Sequence, residues 1–134
     1  MKTGVTESGS GFDFKAAFAF LREAKAVVGI TAETAGRDGP VNNAQLLFIH
    51  SNGSPMKHIP ARPMIEPALA DAGVQQQIAE HMEAAIGAAL EGDYGTAMNE
   101  LDAAGQAGEN AARANVTTID TGALRNAITH EVRR

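Results

Sequence analysis

The sequence contains no cysteine and no tryptophan, and aromatic residues make up only 4% of its 134 residues. Without cysteine, the chain can form no disulfide, no thiol nucleophile and no cysteine–zinc site. Much of the 44% hydrophobic content is alanine, which favours helices packed closely through small side chains over a core of large aromatic rings. At this length we expect a single domain over residues 1–134.

Long apolar runs are also missing. No stretch of about 18 apolar residues occurs, so the sequence predicts no membrane-spanning segment and no membrane partner. The start, "MKTGVTESGSG", lacks the apolar region of a secretory signal. We therefore expect the protein to stay in the cytoplasm in which it is made, or in whatever is assembled there.

Basic residues are absent from a long central segment. Between Arg62 and Arg113 the chain has nine acidic residues and no lysine or arginine, whereas the remainder has 11 basic and 7 acidic residues. One interpretation is a helical pair with a solvated acidic face. The other is a subunit with one acidic and one basic side, suited to head-to-tail association with copies of itself. The net charge of −5 argues against sequence-specific nucleic-acid binding, because phosphate contacts need a basic patch.

Apolar residues recur at three- and four-residue spacing in three segments, which predicts amphipathic helices. These segments are residues 14–25, about 73–90 and about 96–114. Asp13 can cap the first of them. The run "AQLLFIH" at 44–50 is ambiguous between helix and strand, and the two asparagines before it favour a helix.

Two β-branched runs, Val27–Thr31 and Ile128–Val132, predict strands. We expect them to share a small antiparallel sheet covered by helix 14–25 and by the helix that begins near Gly73. The predicted class is α+β, with three or four helices including a long helical pair at about 73–114. Residues 1–11 are expected to be flexible, and residues 32–41 are expected to form a mobile loop.

Two glycines interrupt the last long helix. Gly105 and Gly108 each cost about 1 kcal/mol of helix propensity relative to alanine. Glycine at such positions makes sense where another backbone comes close, so we expect a backbone to approach there. A neighbouring subunit is one source of that contact.

Residues that could carry chemistry are dispersed. The four histidines show no spacing typical of a metal site. They are His50, His58, His81 and His130. Ser51 and Ser54 lack the pattern of an activated nucleophile. The sequence therefore predicts no enzyme, no cofactor and no bound metal.

Four segments follow one another in an order that resembles a known family. "VVGI" (27–30) precedes "NNAQLLFIHSNGSPMKHIPARPMIEPAL" (42–69), then come the helical pair and "IDTGALRNAITHEV" (119–132). This order resembles the small neck and tail-completion proteins of tailed bacteriophages and prophages. The "IPARP" box (59–63) and "DTGALRNAIT" (120–129) are the specific parts, and the likeness covers nearly all of the chain from Val27 onward.

The sequence departs from the pattern of that family at four positions. Ser51 and Asn52 stand where the family usually has Glu-Phe, Met64 where it usually has Phe, and Ala127 where it usually has Ser. Asn52 replaces a large apolar anchor. The docking of the segment before Gly53 is therefore expected to differ.

The resemblance implies a structural virion protein that forms a homo-oligomeric ring, six-fold in the family, at the head–tail junction or the tail-tube end. It implies the head–tail connector and tail-tube proteins as partners, and the virion and the host cytoplasm during assembly as locations. The assembly motif it suggests comprises Ile59, Pro60, Ala61, Arg62, Pro63, Asp120, Thr121, Gly122, Leu124 and Arg125. Two alternatives stay open: a phage assembly factor absent from the finished particle, or a small ligand-binding or enzymatic α+β domain.

Arg62 stands between prolines that stiffen the backbone. Pro60 and Pro63 are expected to hold this loop extended, and Pro63 can occupy the first turn of a helix. The planar guanidinium of Arg62 then points in a fixed direction, suited to bidentate pairing. It can bind a neighbouring subunit or tie the loop to the D-T-G turn of its own chain.

Overall fold

A computed structural model describes residues 13–36, 41–58, 63–116 and 122–134. These residues form six α-helices and a two-stranded antiparallel sheet, which confirms the predicted α+β class. The helices are α1 (Phe14–Glu23), α2 (Asn43–Asn52), α3 (Ile65–Ala70), α4 (Ala72–Leu90), α5 (Tyr94–Ala114) and α6 (Ala123–Ala127). The strands are β1 (Lys25–Gly29) and β2 (Thr129–Arg133), and a 3₁₀ turn spans Pro55–Lys57.

Polar side chains mark where the helices begin. The Asp13 carboxylate accepts a hydrogen bond from a backbone N–H of the first turn of α1 at 3.1 Å. The Asn42 side chain accepts from the Gln45 N–H at 2.8 Å, while the Gln45 side chain accepts from the Asn42 N–H at 2.9 Å. This capping box confirms that the ambiguous run 44–50 is helical. The carboxylates of Asp71 and Asp93 cap α4 and α5 as Asp13 caps α1, each by accepting a hydrogen bond from a backbone N–H of the first turn.

The antiparallel helices α4 and α5 form the frame of the molecule. Residues 91–93 join them, and Gly92 takes the positive φ of 82° that this turn requires. Small side chains let the two helices pack closely, and Phe20 of α1 is the largest side chain enclosed at this end. We call this group the alanine cluster: Phe20, Ala85, Ala88, Ala89, Ala97 and Leu101.

The sheet lies on α5. β1 and β2 pair antiparallel with Val28 opposite His130, and α5 contacts both strands. A Cβ atom added at Gly105 would lie 2.7 Å from the His130 ring, and one added at Gly108 would lie 2.9 Å from the Val28 side chain. These contacts come from side chains of β1 and β2 of the same chain, and not from another backbone as we had expected.

The predicted covering of the sheet was wrong. α1 packs against α4, and the helix that lies against both strands is α5 rather than α1 or α4. Gly105 and Gly108 explain the difference. They leave one face of α5 without side chains, so the strands can pack closer to the axis of α5 than to that of a helix with larger residues. β1 also begins two residues before the predicted strand at 27–31, and β2 ends one residue after the strand predicted at 128–132.

Two short helices, α3 and α6, were not predicted. α3 begins at Ile65, so Pro63 lies before the helix. It does not occupy the first turn, which was the position that the sequence allowed it. Pro67 lies at the third helical position, where its missing N–H has no intrahelical acceptor to lose. α6 contains Leu124 and Arg125 of the D-T-G segment.

Of the loop expected to be mobile at 32–41, residues 32–36 and 41 are described, and hydrogen bonds join residues 35 and 36 to α2. Asn43 is buried, and its side-chain amide donates to the Gly36 carbonyl at 3.1 Å. The backbone N–H of Asn43 donates to the Ala35 carbonyl at 2.7 Å. Residues 37–40, and the segment 1–11 expected to be flexible, lie outside the described residues.

Candidate assembly surface

A second buried cluster brings together the segments on which the resemblance depends. Its buried members are Met64, Ala112, Val116, Leu124 and Ile128, and we call it the motif cluster. The half-buried residues packed against it are Val28, Ile30, Leu46, Leu47 and Ile65. The V-G-I strand, the N-A-Q-L-L helix, the residues after the IPARP box and the D-T-G segment therefore all contribute to one core.

Hydrogen bonds fix the two specific motifs beside the end of α5. The Asn115 side chain donates to the Met64 carbonyl at 2.8 Å, a contact between residues 51 positions apart. The Arg125 guanidinium donates to the Val116 carbonyl at 3.1 Å. Asn115 therefore ties the residue that follows the IPARP box to the end of α5, while Arg62, which could bind a neighbour or the D-T-G turn, lies outside the described residues.

The residues of the predicted assembly motif have different environments. Pro63, Gly122 and Arg125 are exposed, whereas Leu124 is fully buried in the motif cluster. Leu124 thus contributes to the core of its own subunit. Six of the predicted residues lie outside the described part of the chain: Ile59, Pro60, Ala61, Arg62, Asp120 and Thr121.

Arg113 ties α5 to the chain that enters β2. Its Nε donates to the Ile128 carbonyl at 2.8 Å and its Nη2 to the Asn126 carbonyl at 3.3 Å. The same guanidinium lies 3.5 Å from the Glu109 carboxylate. Sequence reasoning missed this role, although the Glu109–Arg113 spacing of four residues is typical of a helical ion pair.

His130 joins the strand to two carboxylates of α5. Its Nδ1 lies 2.8 Å from Glu109 and its Nε2 lies 2.9 Å from Asp102. A carboxylate can only accept from each nitrogen, so this geometry fits a doubly protonated imidazolium. Asp102 and Glu109 are seven residues apart on one face of α5, which is the sequence signal that could have indicated the pair.

The electrostatics of this cluster follow from its geometry. Burial by itself would lower the pKa of His130, but the hydrogen bonds to Glu109 and Asp102 outweigh it and raise the pKa. Burial would likewise raise the pKa of Glu109, but the hydrogen bonds from His130 and Gln106 and the charge of Arg113 lower it. Both ring nitrogens are engaged within the chain, so the cluster fixes β2 on α5 and presents no nitrogen to a substrate.

His81 makes a similar contact on the other side of the frame. Its Nδ1 lies 2.8 Å from the Glu100 carboxylate, which links α4 to α5. Three carboxylates of the acidic segment therefore bond histidines of their own chain, so the acidic face is smaller than the sequence indicates. Within the described ranges, no group of three or more histidine and acidic side chains could hold a metal ion.

The outer side of α2 is apolar and exposed. Leu46 and Leu47 pack on the motif cluster, but Phe48 is 68% exposed, and Met56 of the following 3₁₀ turn is 92% exposed. A hollow of about 500 Å³ lies beside Phe48, lined by Val41, Ala44, Gln45, Phe48 and Ile49. A helix with apolar side chains on two sides is typical of a buried position, yet here one side is open.

Comparison with known proteins identified no relative. No protein-family model matches the sequence, and no curated protein and no solved structure matches it. No helix among the described residues is long and apolar enough to cross a membrane.

Proposed function

We propose that the protein is a structural component of a bacteriophage virion, of the neck or tail-completion type. In this proposal it forms a closed homo-oligomeric ring at the head–tail junction or at the tail-tube end, binds the connector and tail-tube proteins, and performs no catalysis. The observation that carries the proposal is the motif cluster, since it combines side chains from all four segments of the resemblance. A protein of this family would need these segments to share one core, and the motif cluster meets that requirement.

The exposed side of α2 supports a role in assembly. Phe48 follows Leu46 and Leu47, which pack on the motif cluster, and Met56 lies three residues before the IPARP box; both have large apolar surfaces open to solvent. Exposed apolar patches on small proteins often mark contacts with other proteins. We assign this face, together with the box, to the contact with a neighbouring ring subunit or a tail protein.

The distribution of charge is compatible with subunits joined head to tail. Basic residues are concentrated on α1, the strands and the C-terminus, whereas α4 and α5 carry acidic ones. A contact between two different faces repeats by rotation until it closes into a ring. Exposed ion pairs contribute only about 0–1 kcal/mol each and are screened by salt, so the ring is expected to need its tail or connector template.

The proposal is tested in a phage or prophage that carries the gene. Mass spectrometry of purified particles should find the protein, and cross-linking should join neighbouring copies. Arg62→Ala and Phe48→Ser should each reduce assembled particles, while the control variant Gln75→Ala, at an exposed residue of α4 whose replacement leaves both charged faces unchanged, should not. If the protein is absent from particles but needed for their assembly, the assembly-factor alternative is correct; if copies never cross-link and the Arg62 variant assembles normally, the ring is wrong.

A further inference from the structure

A second exposed apolar surface lies far along the chain from the box, where α1 crosses α4. Phe18 of α1 is 53% exposed, and its ring centroid lies 5.7 Å from that of Phe14, which is 48% exposed. On α4, Met82 and Ile86 are 46% and 44% exposed. We call these four residues the α1–α4 face.

A cleft opens beside these rings on the same face. It has a volume of about 170 Å³ and is lined by apolar side chains: Phe20, Leu21, Ala24, Met82, Ala85, Ile86 and Leu101. An apolar cavity of roughly 150 Å³ is known to accept a benzene ring. The cleft is therefore large enough for one phenyl ring. Phe18 of the same molecule does not line it, and lies three residues from Leu21, which does.

Charges flank the face with opposite signs on its two sides. Lys15 and Arg22 are exposed and lie three and four residues from Phe18, so they flank its ring on α1. Glu83 is exposed and lies three residues from Ile86, so it flanks the cleft on α4. In the described part of the chain, none of these three side chains forms an ion pair.

We propose that two copies of this protein pair through the α1–α4 face about a two-fold axis, with Phe18 of each copy in the cleft of the other. An isologous contact requires two complementary features on one face. About a two-fold axis, Phe18 of the first copy then meets the cleft of the second, and Phe18 of the second meets the cleft of the first. When Phe18 enters the partner's cleft, Lys15 and Arg22 come to the side on which the partner carries Glu83. The charges are therefore complementary in the pairing that the apolar surfaces select.

The size of the face sets the strength of the pairing. It consists of four side chains that are each about half exposed, which makes it no larger than the roughly 300–600 Å² of the largest patch on a typical monomer. A stable interface buries about 800 Å² per partner, so this pairing is weak and depends on concentration. It belongs to the free protein and is separate from the proposed ring, which needs two different surfaces on each subunit.

The segment before α1 is a poorer occupant of the cleft than a second copy. Residues 1–12 are mostly polar, and their large apolar side chains are Met1, Val5 and Phe12. They offer one aromatic ring but no apolar stripe that could cover two aromatic rings and a cleft. A chain lacking residues 1–12 is therefore expected to pair as the full chain does.

Sedimentation of the full-length protein over a wide concentration range tests the pairing. The mass should rise from the 13.9 kDa of one chain to twice that value and go no higher. Phe18→Ser should raise the dissociation constant on the order of tenfold to a hundredfold, because it removes a buried aromatic ring. The control variant Asn99→Ser, at an exposed residue of α5 outside this face, should leave the dissociation constant unchanged.

A charge exchange tests the orientation. Arg22→Glu should weaken the pairing, and the double variant Arg22→Glu/Glu83→Arg should restore it. A protein that stays monomeric at all concentrations, forms larger oligomers, or loses its dimer through Asn99→Ser would overturn the pairing. A dimer that appears only after removal of residues 1–12 would show that this segment occupies the cleft instead. None of these results bears on cross-links within particles, so the two proposals fail independently.

Discussion

Gly105→Ala tests the packing of β2 on α5. Gly105 is buried in the middle of α5, and an added Cβ atom would lie 2.7, 3.1 and 3.2 Å from three carbon atoms of His130. In most helix interiors this substitution stabilises by up to about 1 kcal/mol, through helix propensity. Overpacking of a filled site costs about 1–3 kcal/mol, so here two effects oppose each other.

The surroundings of His130 decide which effect is larger. The imidazole is bonded through both nitrogens, so its ring cannot turn away from a new methyl group without weakening a bond to Glu109 or Asp102. A hydrogen bond to a charged group contributes about 1.5–3 kcal/mol, although the exposure of Asp102 reduces its share. We therefore expect Gly105→Ala to lower the free energy of unfolding by about 1–2 kcal/mol, after subtraction of the helix-propensity gain.

Gly87→Ala is the matched control. Gly87 lies in α4 with no atom within 4 Å of an added Cβ, so only the helix-propensity gain of up to about 1 kcal/mol remains. Urea unfolding followed by far-ultraviolet circular dichroism, at low protein concentration, should therefore separate the two variants by about 2–3 kcal/mol with equal m-values. If Gly105→Ala is as stable as Gly87→Ala, the packing of His130 over Gly105 is wrong. Adding His130→Ala to each glycine variant should reduce the difference, since the clash is then gone.

Two further substitutions test the hydrogen bonds that hold the site. The raised pKa of His130 gives stability that is present below its ordinary value of 6.5 and is lost as pH rises through the folded value. The lowered pKa of Glu109 gives stability that is present above its ordinary value of 4.5 and is lost as pH falls through the folded value. The cluster should thus stabilise the folded protein most between pH 4.5 and pH 6.5. Urea unfolding at several pH values should show that His130→Gln removes its share of the stability that is lost on the alkaline side. An unchanged pH profile of the free energy of unfolding would contradict this. Asn115→Ala should lower the free energy of unfolding by about 1–3 kcal/mol, because the buried Met64 carbonyl loses its donor. The control Asn110→Ala, at an exposed site, should change it by less than about 0.5 kcal/mol. Equal effects would show that the hydrogen bond from Asn115 to Met64 is unimportant.

Local interactions explain why the sequence predicted the helices and strands so closely. Asp13 and Asn42 cap α1 and α2 through contacts three residues away, and such contacts can be recognised without a tertiary structure. The long helices α4 and α5 repeat their apolar residues over many turns. The two strands carry β-branched runs, so their existence was predictable, although their bounds shifted by one or two residues.

The short helices α3 and α6 have too few residues to be recognised from a sequence pattern. α3 has six residues and α6 has five, which is fewer than two turns, so no apolar period can be established in either. Their helical form depends on packing, because Ala68 of α3 and Leu124 of α6 are buried. The position of Pro63 outside α3 was for the same reason not predictable.

By itself, the sequence determined the class of fold, the long helices and their caps, and the order of the segments that resemble phage neck proteins. Only the tertiary structure decided what Gly105 and Gly108 accommodate, since the sequence shows that a helix can be approached there but not by which chain. It also decided the partners of His130 and Asn115, which lie 21 and 51 residues away along the chain. Contacts at such separations depend on how α5, the sheet and the chain around Met64 pack, and no local pattern of residues records that arrangement.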